Sequence, residues 1–397
     1  MAAPSSSQRP GARIASVDAL RGLVMIIMAL DHVRDYYHRG ATTFQPDDIS
    51  RTTAVLFFTR WITHFCAPVF MFTAGLGAYL WLRPGRTTAD LSHFLWKRGL
   101  WLVFLELTAL RLVMSFGLLD GPVFLTVLWA LGWSMFLLGF LVRMPIRLLT
   151  VFSLAVIVLH NLADPIRAAS FGSYAWVWNI LHQAGFIQAG PVPVIAAYPL
   201  VPWFAVMAAG YCFGPVLSLE PARRRRWMVR LGAALTLTFI VLRAINVYGD
   251  PARWTTRFPG MTLLSFLRVT KYPPSLDFLL VTLGPALLML AFFDRREFRS
   301  SNPLMVYGKV PLFYFLAHFA LLHVLLFPLT YLRYGRADFL WHALTLGADA
   351  KTYPPDFGYP LWFVYVVWAA VVIALYPVCL WFSRLKQRRR DWWLSYL

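Results

Sequence analysis

The chain has 397 residues, of which 59% are hydrophobic, 17% aromatic and only 14% charged. A soluble domain carries about 25% charged residues, so the composition excludes a soluble globular protein and describes an integral membrane protein. The net charge of +19 does not mark a nucleic-acid binder: the cations cluster in short loops between apolar runs, with no soluble basic domain, which reports topology and contact with anionic lipid.

The N-terminal stretch MAAPSSSQRPGA is polar. The apolar run behind it has no small-residue cleavage site and is expected to stay as the first span. With about 20 apolar residues needed per crossing, the spans fall at 19–37, 53–82, 98–116, 123–142, 148–162, 198–217, 229–248, 274–293, 304–332 and 360–382. Arg83-Pro84-Gly85-Arg86 ends the second and Asp120-Gly121-Pro122 precedes the fourth. Residues 163–195, 249–271 and 333–358 read as external loops, the first with room for an interfacial helix.

The charges test this count. Arg9 and Arg13 precede the first span, and Arg384 and Lys386 to Arg390 follow the last. The loops after even-numbered spans carry Arg83, Arg86, Lys97 and Arg98, then Arg143 and Arg147, then Arg223 to Arg226, then Arg295, Arg296 and Arg299. All fall on one side, which puts both termini in the cytoplasm. The expectation is an all-α polytopic membrane protein, a bundle of about ten transmembrane helices. It divides into a tail (1–13), a single transmembrane domain (14–383) and a basic C-terminal tail (384–397). No internal repeat is evident, which weighs against an inverted-repeat transporter. Cys66, Cys212 and Cys379 lie in apolar runs without metal-ligand spacing and read as small core residues.

A charge at the centre of a span costs about 2.5–3.5 kcal/mol, so such residues face the bundle interior or a water-filled cavity. Here they are Arg21, Asp31 and His32; Arg60 and His64; Glu106 and Arg111; His160; Arg243; Asp277; and Lys309, His318 and His323. Arg21 and His32 stand out. Eleven residues apart on a helix, they differ by about 20° around the axis and roughly 16 Å along it, with Met25 and Met28 between them. One helix therefore presents a cation near its start and an imidazole three turns deeper. A purely structural account has Arg21 snorkelling to the interface and His32 satisfying an interhelical hydrogen bond. A functional one has Arg21 holding phosphate and His32 acting as general base beside Asp31 or Asp35.

His64 follows Arg60 by one turn, and Pro68 breaks the pattern behind it. It is either a hydrogen-bonded histidine in a kinked helix or a second reactive imidazole. Glu106 and Arg111, five apart, are poorly matched on one helix and read as ion-pairing across helices. His318 and His323 read as satisfied core histidines. There is no HExxH, no zinc-ligand spacing, no GxxxxGK[ST] and no GxSxG, hence no case for a metalloprotease, a P-loop ATPase or an α/β-hydrolase.

The stretches RIASVDALRGLVMIIMALDHVRDYYH and AVLFFTRWITHFCAPVFMFTAGLGAYL resemble the bacterial heparan-alpha-glucosaminide N-acetyltransferase-like membrane family. The likeness is strongest over residues 13–85 and extends more loosely through TKYPPSLDFLLVTLGP and GKVPLFYFLAHFALLH. The Arg21–His32 spacing and VFMFTAGLG are also similar to motifs of the acyltransferase 3 family, within the wider transmembrane acyltransferase group. The resemblance implies transfer of an acyl group, typically acetyl, from cytoplasmic acyl-CoA to a sugar on the far side of the bilayer. The chain departs from the animal heparan enzymes of the family, which carry asparagine where His32 stands and a catalytic histidine in the loop that follows. His38 and His64 are possible counterparts of that histidine, and heparan itself is not the implied acceptor.

The expected machinery is thus His32 as base, Asp31 or Asp35 holding it, His64 or Arg60 as donors to the oxyanion, and Arg21, with Arg60, on the cofactor. Acetyl-CoA serves as donor substrate, with no metal. The expected partners are the lipid bilayer, acyl-CoA and an extracytoplasmic carbohydrate of the cell envelope, with no nucleic acid. A homo-oligomer is left open. The expected location is a bacterial inner membrane. The competing class is a transporter or flippase with an intramembrane His/Asp proton relay.

Overall fold

The computed structural model describes residues 14–82, 84–115, 122–190, 192–341, 353–354, 356–389, 391 and 394. The N-terminal tail, Arg83, Asp120-Gly121, residues 342–352 and Arg390 lie outside the described residues.

Helix α1 covers Ala15–Tyr37. α2 (Ala54–Trp61) starts at Thr53, whose hydroxyl accepts the Leu56 amide at 3.3 Å. A 3-10 turn (Ile62–Phe65) passes into α3 (Cys66–Trp81). Pro68 sits in the first turn of α3, where its missing amide costs least, and the rod runs on from Ala54 to Trp81. α4 (Thr88–Leu105) opens on a reciprocal Thr87/Asp90 capping box and ends in a π turn at Glu106–Leu110, followed by α5 (Arg111–Ser115). Then come β1 (Val123–Leu125), α6 (Val127–Leu141), α7 (Ile146–Leu159), α8 (Ala175–Leu181), β2 (Gly185–Ala189), β3 (Val192–Ala196), α9 (Trp203–Leu217), α10 (Pro221–Ile245), α11 (Thr262–Leu267), α12 (Leu276–Phe293), α13 (Pro303–Lys309), α14 (Pro311–Tyr334) and α15 (Leu361–Arg388).

Among the described residues, six helical segments are long and apolar enough to cross a membrane: Ala54–Trp81, Ile146–Ala163, Pro221–Ile245, Leu276–Phe293, Pro311–Tyr334 and Leu361–Arg388. α6 and α9 are apolar but shorter. α1 is long enough, at 23 residues, but carries Asp18, Arg21, Asp31, Arg34 and Asp35. The protein is therefore a helical membrane protein. Only 28%, 22% and 28% of the apolar stretches of α7, α10 and α15 are buried, against 72% of α12. The first three turn most of their surface outward, with Val151, Leu237 and Ile373 exposed, while α12 lies inside with α1.

The helices approach through glycines, as membrane helices without a hydrophobic drive between them do. Gly22 of α1 lies against the Leu304 carbonyl of α13, and Gly308 of α13 against the Asp18 carbonyl of α1. A Cβ at either position would overlap the opposing backbone. This seam fixes the Arg21 end of α1.

Two expectations are corrected. Residues 163–195, read as a loop with room for one helix, contain α8 and, beyond that expectation, 3-10 turns and the β2–β3 hairpin, and β1 pairs in parallel with β3 to give the sheet order β1-β3-β2. GFIQA and VPVIA are too short and too interrupted by Gly and Pro to signal strands, although Gly190, at φ 65° in the turn between them, is the residue such a hairpin needs. Glu106, read as one half of a cross-helix ion pair, instead accepts the backbone amides of Thr126 (2.7 Å), Leu128 (3.0 Å) and Trp129 (3.1 Å). It caps α6, whose own N-terminal side chain makes no cap bond.

Candidate active site

α1 places its polar groups at two levels. At its start the Arg21 guanidinium bonds Asp18 at 2.8 Å, one turn back, and stays 26% exposed. That exposure matters because Arg21 lines a cavity of about 260 Å³, walled by α1, α3, α4, α6 and the start of α14. Met25, Phe70, Thr73, Gly77, Leu102 and Met135 form its apolar sides, Arg98 adds a second cation, and Phe315 belongs to its lining.

Phe315 joins the two levels. Its ring centroid lies 6.0 Å from that of His32, edge to face. His32 is half-buried, and its Nδ1 lies 2.6 Å from Nε2 of the fully buried His318 on α14. Phe319 stacks on the His32 ring at 4.2 Å and 30°. The opposite nitrogen of His318, Nδ1, bonds the Tyr314 carbonyl one turn back at 3.0 Å. α14 begins with Pro311 at its first position, where a missing amide is harmless, and its register then brings Phe315, His318 and Phe319 to α1.

The carboxylates beside His32 serve other groups. Asp31 forms a buried ion pair with Arg60 of α2 and a second with Arg34 at 2.9 Å. Arg34 also bonds Asp35 at 2.5 Å. Burying these charges is costly and is offset only by such close pairing. The structure thus gives His32 a histidine partner, not the aspartate expected from sequence neighbours, because consecutive side chains on a helix point about 100° apart.

His64 sits in the 3-10 turn, 4% exposed, its ring 5.3 Å from Phe278. Its Nδ1 is buried without a hydrogen-bond partner among the described residues, an arrangement that calls for an explanation at a native site. Lys271, from the loop before α12, lies over the Tyr198 and Tyr272 rings at 6.0 and 5.2 Å. Its charge acts on Asp31, His32 and His64, so these groups form one polar layer. His38 lies outside it: its Nδ1 accepts the Gly40 amide at 3.1 Å and shapes the turn after α1.

Arg243, His160 and His323 bind backbone carbonyls instead. Arg243 holds the 252–268 loop through the carbonyls of Ala252, Ser265, Phe266 and Arg268, with Asp277 3.7 Å away. His160 bridges the Ile157 and Pro274 carbonyls, both at 2.9 Å. His323 meets the Val113 and Leu340 carbonyls. Sequence reasoning passed over His318 as partner of His32, Arg98 in the cavity wall, and the Lys271–Tyr198–Tyr272 group. Only the TKYPP and FLAH stretches hinted at them.

The described residues thus form a helical bundle with a mostly apolar cavity, two arginines in its wall and a histidine pair just past its lining. The family model described as heparan-alpha-glucosaminide N-acetyltransferase, catalytic, matches residues 13–248, more than half of the chain, and the chain belongs to that family. It is a membrane acyltransferase. No curated protein matches the sequence.

Proposed function

We propose that this protein moves an acetyl group from cytoplasmic acetyl-CoA to a sugar or glycan on the far side of the membrane. The observation that carries this reading is the cavity, which has Arg21 and Arg98 in its wall and Phe315, 6.0 Å from His32, in its lining. Arg21 and Arg98 bind the CoA phosphates, and the apolar walls take the pantetheine arm. The thioester then meets the acceptor at His32. A sugar hydroxyl or amine is a poor nucleophile until a base removes its proton, and a placed base contributes about 10²–10⁴-fold. His32 is that base. The oxyanion of the thioester carbonyl takes donors from His64, whose Nδ1 has no partner among the described residues, and from Arg60. Asp31 and Asp35 hold the neighbouring arginines and so keep the layer's charge balanced.

The reading includes ten crossings with both termini in the cytoplasm, one transmembrane domain over 14–383, and the inner membrane of a bacterium as the location. The basic clusters on alternate loops support it. α1 then enters from the inside, which sets Arg21 on the donor side and His32 towards the acceptor. The test is turnover of radiolabelled acetyl-CoA by the purified chain in lipid nanodiscs, with D-glucosamine as the probe acceptor and acetyl-CoA binding measured alongside. Arg21→Ala should raise KM and Kd for acetyl-CoA about tenfold or more, since a charge-assisted phosphate contact is lost. Arg21→Lys should recover part of it. Unchanged acetyl-CoA affinity in Arg21→Ala removes that role, and binding without any turnover by the wild type overturns the transferase reading.

A further inference from the structure

The hydrogen bonds of His318 determine where the proton of His32 sits. His318 Nδ1 faces the Tyr314 carbonyl at 3.0 Å. A carbonyl only accepts, so that nitrogen carries the hydrogen. In the neutral imidazole the lone pair is then on Nε2. This nitrogen lies 2.6 Å from His32 Nδ1, and two lone pairs do not face each other at that distance. His32 therefore donates from Nδ1. Its own lone pair falls on Nε2, which has no bond to any described residue.

We infer that His318 is a positioning residue that locks His32 in the tautomer whose Nε2 is basic and directed to substrate. The inference rests on His32 being the base. In the transfer step the proton of the acceptor O–H or N–H passes to the lone pair of His32 Nε2 as the acceptor's oxygen or nitrogen forms its bond to the thioester carbonyl carbon. When the C–S bond breaks, the electron pair leaves on sulfur, and the CoA thiolate takes the proton back from His32. Between these events His32 is a cation inside the membrane. Its Nδ1–H bond to the neutral His318 becomes charge-assisted at that moment, so His318 stabilises the state that forms only during reaction. A triad built on a carboxylate would keep a permanent negative charge here. The His318 site is fully buried among Tyr314, Phe315 and Phe319, and a neutral acceptor suits it. Phe319, stacked at 4.2 Å, and Phe315 at the ring edge fix the plane in which Nε2 points.

The test uses the full chain in nanodiscs with ¹⁵N-labelled histidine, the His32 resonances being assigned by their loss in His32→Gln. Wild-type His32 should show the Nδ1–H tautomer, and His318→Phe should lose that preference. An Nε2–H tautomer in the wild type overturns the inference, whatever the acceptor. Turnover of acetyl-CoA with D-glucosamine gives the second arm. His318→Phe should lower kcat by about 10²–10⁴-fold, the range covered by a base no longer correctly held, with KM for acetyl-CoA within about twofold. His318→Gln, whose amide oxygen can stand near the lost Nε2, should recover most of kcat. A role in folding alone would not split kcat from KM or be rescued by Gln. If His32→Ala is dead while His318→Phe retains wild-type kcat, the positioning role fails and the base remains. If His32→Ala keeps wild-type turnover, the base reading itself fails.

Discussion

Asp31 stands between two guanidinium groups, Arg60 and Arg34, and all three are buried. Removing one member leaves an uncompensated charge, which costs about 3–5 kcal/mol. Arg60→Gln should therefore lower the thermal midpoint sharply, and the Asp31→Asn, Arg60→Gln double variant should recover much of it, though not activity. A double variant no more stable than the single one would mean that the pair does not act as a unit. His64→Ala and His38→Ala give a second comparison in the turnover assay. His64 belongs to the polar layer and His38 only orders a turn, so His64→Ala should lose activity and His38→Ala should stay near wild type. The opposite ranking would move the chemistry to the loop after α1. At this scale the sequence carried the Arg21–His32 register, because a helix fixes rotation per residue. It could not carry the His32–His318 bond, whose members are 286 residues apart and meet only when α14 packs on α1.

Among the elements, the α1–α13 seam depends on backbone contact at Gly22 and Gly308. Gly22→Val forces a Cβ into the Leu304 carbonyl, which cannot move without its helix. The cost should be about 1–3 kcal/mol, with acetyl-CoA affinity falling too because Arg21 moves with α1. Gly77→Ala is the control for stability alone, because Gly77 lines the cavity: nothing lies within 4 Å of its Cβ, so the thermal midpoint should stay unchanged or rise slightly. Equal loss in both would show that any added methyl is harmful and that the seam is not special. The long apolar helices were legible from hydropathy alone, since lipid demands them. The β1-β3-β2 sheet was not, because its three strands are 3, 5 and 5 residues long and one pairs with a segment far away in sequence. Glu106 was misjudged for a related reason: its partners are backbone amides, which leave no mark in side-chain composition.

For the molecule as a whole, topology is the property that the transfer reading needs most. Reporter tags at the N-terminus, at the C-terminus and in the 223–226 loop should all report cytoplasm, while tags near 180, 258 and 345 should report outside. A tag at 258 on the cytoplasmic side would break the count of crossings and reverse the direction assigned to α1. The cations predict this arrangement, since the basic clusters either precede the first span or follow even-numbered ones. They do not predict that α7, α10 and α15 lie at the periphery and α12 inside. That ordering comes from packing, and the apolar composition of the four is too similar to reveal it.

The anchoring of α1 at both ends has one more consequence. The glycine seam pins it near Arg21 and the imidazole pair pins it at His32, so the stretch between them, roughly 16 Å, works as a gauge. On the proposed chemistry a donor must grip one end with its phosphates and present its thioester at the other. A clipped acetyl thioester that lacks the nucleotide should still react when supplied in excess, but with KM for the donor raised by orders of magnitude, and Arg21→Ala should leave its rate untouched. The protein would then choose its donor by the length of the tether, leaving the chemistry of the acyl group to the far end.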